Sequence, residues 1–210
     1  MLPLGVAVAA VLAGTSLTGG IPQGMLFLES HPPAKPGETY QVSESRTVPL
    51  ALNPCFRRLR ADSGRLEART ASYSVEDRWK SEQIVLYKDT AHAKKALRGL
   101  RADLRRCADV GSGRDDYRWF TRPLDVGDEG LRAGSRFFES GEQAVATRSG
   151  AALYIVEESA WPSKSLPIDR FRGLIAQAEK MTVKICALPE AACRSRSQAV
   201  HGWFTDGAGG

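Results

Sequence analysis

Four cationic side chains, Lys94, Arg98, Arg101 and Arg105, recur at i, i+4, i+7 and i+11, a spacing that sets them along one side of a helix. With Lys95 and Arg106 beside them, they would form a ridge able to hold an anionic cell-envelope component such as a teichoic polymer or a phospholipid. An ordinary solvated helix face, partly balanced by Asp103, accounts for the same pattern. A second binding candidate is Trp161, which stands directly before Pro162. That pair ends a strand and opens a loop, a place from which an aromatic ring can line the rim of a ligand site. Trp79, Trp119, Tyr87, Phe120 and Tyr154 adjoin or lie within expected strands, and most such rings belong to the core.

Catalytic constellations are thin. His31, His92 and His201 are far apart in sequence and none has metal-ligand spacing. His92 sits at the start of the expected helix and reads as a solvated surface residue. There is no GxSxG elbow and no phosphate loop. Asp125, Asp128 and Glu129 gather around Gly127, but outside the calcium-loop pattern, so they read as a strand-connecting turn with Arg122 or Arg132 relieving the charge. The expectation is a protein that is not an enzyme and holds no metal or cofactor. Nucleic acid is not an expected partner either, since no aromatic-basic interleaving accompanies the ridge. The competing reading is a secreted hydrolase whose active site is assembled from scattered residues.

The cysteines indicate the compartment. Cys55, Cys107, Cys186 and Cys193 form an even set with no CxxC and no zinc spacing, which reads as two structural disulfides in an exported protein. No charged residue precedes Glu29. Leu2 to Leu12 is an apolar run of signal-peptide length, short of the roughly 20 residues of a membrane span. No Lys or Arg precedes it, and Leu12-Ala13-Gly14-Thr15 resembles a lipoprotein box with Thr15 in the cysteine position. Residues 1–20 are therefore a signal-like segment, cleaved near Gly20, or a membrane anchor giving membrane association.

The remaining chain fits one domain. With 42% apolar and 25% charged residues and a formal charge of +5, it has globular proportions and a weak attraction to anionic surfaces. Residues 21–48 read as an extended approach segment, because Pro32, Pro33 and Pro36 block helix. Residues 49–193 form the domain and 194–210 a disordered tail, in which Trp203-Phe204 is unusual. Within the domain, strands are expected at Leu66 to Val75, Gln83 to Lys88, Tyr117 to Arg122, Arg132 to Glu139, Gln143 to Arg148 and Ala151 to Glu157. Short turns separate the last three, the mark of an antiparallel meander. One helix is expected from Thr90 to Cys107, with Ala93, Ala96, Leu97, Leu100 and Leu104 on its apolar stripe and Asp89 or Thr90 as N-cap. A second runs from about Pro167 to Thr182, presenting Ile168, Phe171, Leu174, Ile175, Ala178 and Met181. The fold class is α+β: an antiparallel sheet with two packed helices, stapled by Cys55–Cys107 and Cys186–Cys193.

Several short motifs together resemble a known group. They are Pro49-Leu50-Ala51-Leu52-Asn53-Pro54-Cys55, Leu86-Tyr87-Lys88-Asp89 leading into Ala91 to Leu97, Leu104-Arg105-Arg106-Cys107, Leu124 to Glu129, and the strand Ala151 to Val156. The combination is similar to actinobacterial exported sensor-type domains, such as the extracellular domain of PknH-type Ser/Thr kinases and their stand-alone secreted or lipid-anchored relatives. The resemblance spans roughly residues 23 to 193. It implies a disulfide-stapled α+β fold with a ligand groove and no enzymatic activity, and it brings over no binding residues. The expected function is thus a non-enzymatic, exported, sensor-like binding domain, secreted or extracytoplasmic.

Overall fold

The computed structural model describes residues 20–31, 33–55, 63–110, 117–137, 140–161 and 164–193. The tail and, except for Gly20, the signal-like segment lie outside these residues. Eight strands form one sheet: β1 (Glu38–Ser43), β2 (Arg65–Val75), β3 (Arg78–Tyr87), β4 (Asp109–Val110), β5 (Tyr117–Leu124), β6 (Glu129–Phe137), β7 (Ser140–Ser149) and β8 (Ala152–Ser159). Their spatial order is β1-β2-β3-β8-β7-β6-β5-β4. Every neighbouring pair is antiparallel. Two meanders, β1 to β3 and β4 to β8, therefore meet where β3 pairs with β8. Helix α1 (Thr90–Arg106) carries the chain from the end of β3 to the far edge, and α2 (Arg172–Cys186) follows β8.

The two helices cover opposite faces of the sheet. Leu97, Leu100 and Leu104 of α1 pack with Val85, Tyr87, Leu153, Ile155, Ala144, Ala146 and Leu131. Phe171 and the α2 residues Leu174, Ala178, Met181 and Ile185 pack instead with Ile84, Leu86, Tyr154, Val156 and Val145. These are alternate residues of the same strands, which is the period-two consequence of the pleat. Helix α1 starts where expected, because the Asp89 side chain accepts the backbone N–H of His92, an N-cap contact that satisfies an otherwise orphaned donor. The same Asp89 carboxylate holds the His92 ring at 2.7 Å. The second helix departs from the sequence expectation: Pro167 begins a 3-10 turn, Ile168–Phe171, and α2 runs on to Cys186. Ile168 is consequently exposed, whereas Phe171 is fully buried.

Residues 21–48, expected as an approach segment, take part in the fold. Met25, Leu26 and Leu28 are buried beside α2, and β1 forms the sheet edge on β2. The segment is held by charge as well as burial. Arg69 of β2 donates to the Glu29 carboxylate at 2.5 and 2.9 Å, and both side chains are buried. Burial opposes the Glu29 charge, but the hydrogen bonds from Arg69 and from the Leu26 and Gly24 N–H groups outweigh it and lower its pKa. The Leu28 N–H meets Glu82 of β3 at 3.3 Å, and Gln177 of α2 donates to the same carboxylate.

Both expected disulfides are formed. Cys55–Cys107 ties the chain before β2 to the end of α1, and Cys186–Cys193 closes a loop after α2, with Cα separations of 5.5 and 5.4 Å. By loop entropy, separations of 52 and 7 residues correspond to about 4 and about 2.5 kcal/mol of stabilisation. The Cys186–Cys193 loop docks on the β7–β8 turn, where the Ala151 N–H donates to the Ala191 carbonyl at 2.6 Å. Gly150 has φ +56 there, and a Cβ at that position would run into the same carbonyl, so two constraints favour glycine.

Since Leu26 is 1% exposed, Leu26→Ala should cost about 2–5 kcal/mol in urea unfolding. A change below about 0.5 kcal/mol would place the 21–31 segment outside the cooperative unit.

Candidate functional site

The cationic ridge lies along α1 as its spacing requires, but its members differ in what they do. Lys94, Arg98 and Arg105 are exposed. Arg101 is committed to the protein, pairing with Glu129 at 3.0 Å and donating to the Gly130 carbonyl at 3.3 Å. Arg106 is bonded to Asp103. The acidic cluster around Gly127 has the same structural character. Asp128 binds Arg148 at 2.7 Å and accepts the Gly150 N–H at 2.8 Å, while Glu129 bridges Arg148 and Arg101. Burial opposes the Glu129 charge, but the Arg101 hydrogen bond and the two guanidinium charges lower its pKa. Arg148 and Arg101, rather than Arg122 or Arg132, therefore neutralise Asp128 and Glu129, while Asp125 is exposed; Arg122 donates to the Thr121 carbonyl and Arg132 to those of Leu166 and Pro123. Lys94, Thr90, Asp128, Arg148, Gly150 and Ala192 surround a small cleft of about 280 Å³. Its buried guanidinium is already engaged by Asp128, Glu129 and the Gly150 carbonyl.

Trp161 is at the opposite end of the sheet. Strand β8 separates the two regions, and its 8 residues span about 26 Å. Here the ends of three adjacent strands, β3, β8 and β7, surround a larger cleft of about 670 Å³. Asp77, Arg78 and Trp79 come from the β2–β3 hairpin, Ser140, Gly141 and Glu142 from the start of β7, and Ser159, Ala160 and Trp161 from the end of β8. The indole of Trp161 is 64% exposed, and Trp79 is half-buried.

The backbone beneath both indoles is fixed. The Trp79 N–H donates to Ser159 Oγ at 3.1 Å, and the Ala160 N–H to the Gly141 carbonyl at 2.9 Å. Arg170, in the 3-10 turn before α2, donates to the Trp161 carbonyl at 2.6 Å. The Glu142 N–H donates to Ser135 Oγ at 3.1 Å. The backbone that carries both indoles is thus held at the strand ends, which lowers the ordering cost of binding.

Below the cleft lies an acid that sequence inspection did not single out. Glu157 belongs to the α1 face of β8, in line with Leu153, Ile155 and Ser159, and is 6% exposed. Its cross-strand neighbours are Ser81 of β3 and Ala144 of β7. Burial, and secondarily the negative charge of Glu142, push its carboxyl well above the ordinary carboxylate range. The alternation of Leu153, Ile155, Glu157 and Ser159 was the available signal, since period two places this acid on an inward face. Trp79 was legible only as an aromatic beside a strand. Trp119, by contrast, is core at 5% exposure.

No family model matches the chain, and no curated protein matches it. Among solved structures, the chain is similar to the extracellular domain of PknH from Mycobacterium tuberculosis, at 12% identity and a TM-score of 0.40, over 70% of this chain and 79% of that one. The functional reading accordingly rests on the geometry of the site.

Because the folded protein holds the Glu157 proton more tightly than the unfolded chain does, this acid costs stability as pH rises above the ordinary glutamate range. Glu157→Gln should raise Tm by about 2 °C or more at pH 7. The gain should vanish below about pH 3, where the wild-type carboxyl is neutral in both states. Calorimetry across that range checks it, and a pH-independent loss of Tm would contradict the assignment.

Proposed function

We propose that the protein is an extracytoplasmic, non-enzymatic, sensor-like binding domain that engages a cell-envelope ligand. One observation carries the reading: a cleft of about 670 Å³ bearing an exposed Trp161 and a half-buried Trp79 on fixed strand ends. Tryptophans are enriched among the side chains that anchor binding, and a cleft lined by two of them is where a ligand would be held. The two disulfides support an oxidising compartment. Among the described residues no helix is long and apolar enough to cross a membrane.

The ridge has a secondary place in this proposal. With Arg101 engaged by Glu129, Lys94, Arg98 and Arg105 are left to attract anionic envelope surfaces through a diffuse, salt-sensitive field. The alternative of a secreted hydrolase has one observation in its favour, namely two carboxyls, Glu142 and Glu157, on one face of neighbouring strands, with burial raising the Glu157 pKa. Acid pairs of unequal ionisation are the equipment of glycoside hydrolysis.

Titration of the protein with a solubilised cell-envelope extract, followed by tryptophan fluorescence, should give saturable quenching without turnover of ester, peptide or glycoside substrates. Trp161→Ala should weaken that binding about tenfold or more, whereas Arg98→Glu with Arg105→Glu should change only its salt dependence. Turnover abolished by Glu157→Gln would establish the hydrolase instead.

A further inference from the structure

We infer that the Trp79–Trp161 cleft takes a neutral carbohydrate chain, with the indole faces stacking on sugar rings and the polar rim bonding their hydroxyls. The inference rests on the binding reading above and names the ligand class for that site.

The chemistry of the lining supports this class over others. Trp161, 64% exposed, and Trp79 offer broad apolar faces carrying negative quadrupole density. A pyranose ring has a complementary face of C–H bonds with slight positive character, edged by hydroxyls that each donate and accept. The cleft supplies partners for both roles: the Ser159 hydroxyl, whose oxygen accepts the Trp79 N–H, and the Arg78 guanidinium as donors, and the Ser140 oxygen, whose proton goes to the Phe137 carbonyl, with the Asp77 and Glu142 carboxylates as acceptors. Arg78 lines the same cleft as the two acids, so the lining includes both signs and lacks a strong field selecting an ion. An anionic polymer would face Asp77 and Glu142, and a cation would face Arg78. The volume falls in the range of roughly 300–1,000 Å³ found for small-ligand clefts.

The ridge and the cleft therefore differ in chemistry as well as in place. Lys94 and Trp161 stand at opposite ends of β8, and only the cleft combines aromatic faces with hydroxyl partners.

The test is titration of the full chain, by calorimetry and tryptophan fluorescence, with neutral hexasaccharides of glucose, mannose and N-acetylglucosamine, alongside dextran sulfate and choline as anionic and cationic probes. The envelope extract is titrated in parallel. The expected result is saturable binding of at least one neutral sugar, weakened about tenfold or more by Trp161→Ala and largely retained by Trp161→Tyr, which keeps an aromatic face. Glu142→Gln should weaken it less, since an acceptor oxygen remains. Trp161 is exposed, so its replacement leaves the fold intact, and circular dichroism verifies this. Extract binding without any binding of the neutral sugars overturns the carbohydrate assignment and spares the binding reading. Sugar binding indifferent to Trp161→Ala also overturns it. Failure of extract and sugars alike overturns both.

Discussion

The structure depends on one pairing, the antiparallel contact of β3 with β8. Ile84, Val85, Leu86 and Tyr87 on one strand and Leu153, Tyr154, Ile155 and Val156 on the other are all buried, so neither face of this ribbon tolerates water. Two separate covers follow from that. Helix α1 lies on the face of Val85 and Ile155, and α2 on the face of Ile84 and Tyr154. Burial of apolar area on both sides is the dominant favourable contribution, because a single-faced sheet of the same strands would leave half of these side chains in solvent.

Each cover is completed by a piece of chain that looked peripheral. Leu50 and Leu52 extend the α1 layer, and Met25, Leu26 and Leu28 extend the α2 layer. On the α2 side the closure is partly polar: Arg69 engages Glu29 and Glu44, and Glu82 is reached by Leu28 and Gln177. Such pairs contribute modestly as replacements for apolar contact, yet removing one partner leaves a buried charge and costs several kcal/mol. They fix where the N-terminal segment sits more than they add to the total.

Much of this plan was legible in the sequence, and the parts that were not have physical causes. The stripe Ala93, Ala96, Leu97, Leu100 and Leu104, together with the Asp89 cap, announced α1 because helical periodicity survives when only one side is buried. Gln83 to Lys88 and Ala151 to Glu157 announced strands, but their unbroken apolar runs hid which residues faced which helix, since both faces are covered. The 21–48 segment was misleading because its prolines and charges describe the path between anchors, while Leu26, Leu28 and Glu29 act through partners distant in sequence. Of the candidate site, Trp161 was visible from its position before Pro162. Trp79 was visible only as an aromatic beside a strand, Glu157 only through the alternation of its strand, and Glu142 not at all, since the three converge only when β3, β8 and β7 lie side by side. The ridge shows the converse: its spacing was right, but Arg101 was already assigned to Glu129 by a turn that helical periodicity cannot report.

The ends of the same three central strands thus have opposite characters. Near Gly150 the turns are closed by Arg148, Asp128 and Glu129 and clasped by the Cys186–Cys193 loop, whereas near Trp161 they leave a cleft over a buried acid. This arrangement requires that the β3–β8 ribbon be the last part of the molecule to open. Native-state hydrogen exchange measures that directly. The slowest amides should be those of residues 84–86 and 153–156, exchanging only by global unfolding, with β1 and β4 faster. Slowest exchange in β1 and β2, with residues 153–156 opening locally, would contradict the account.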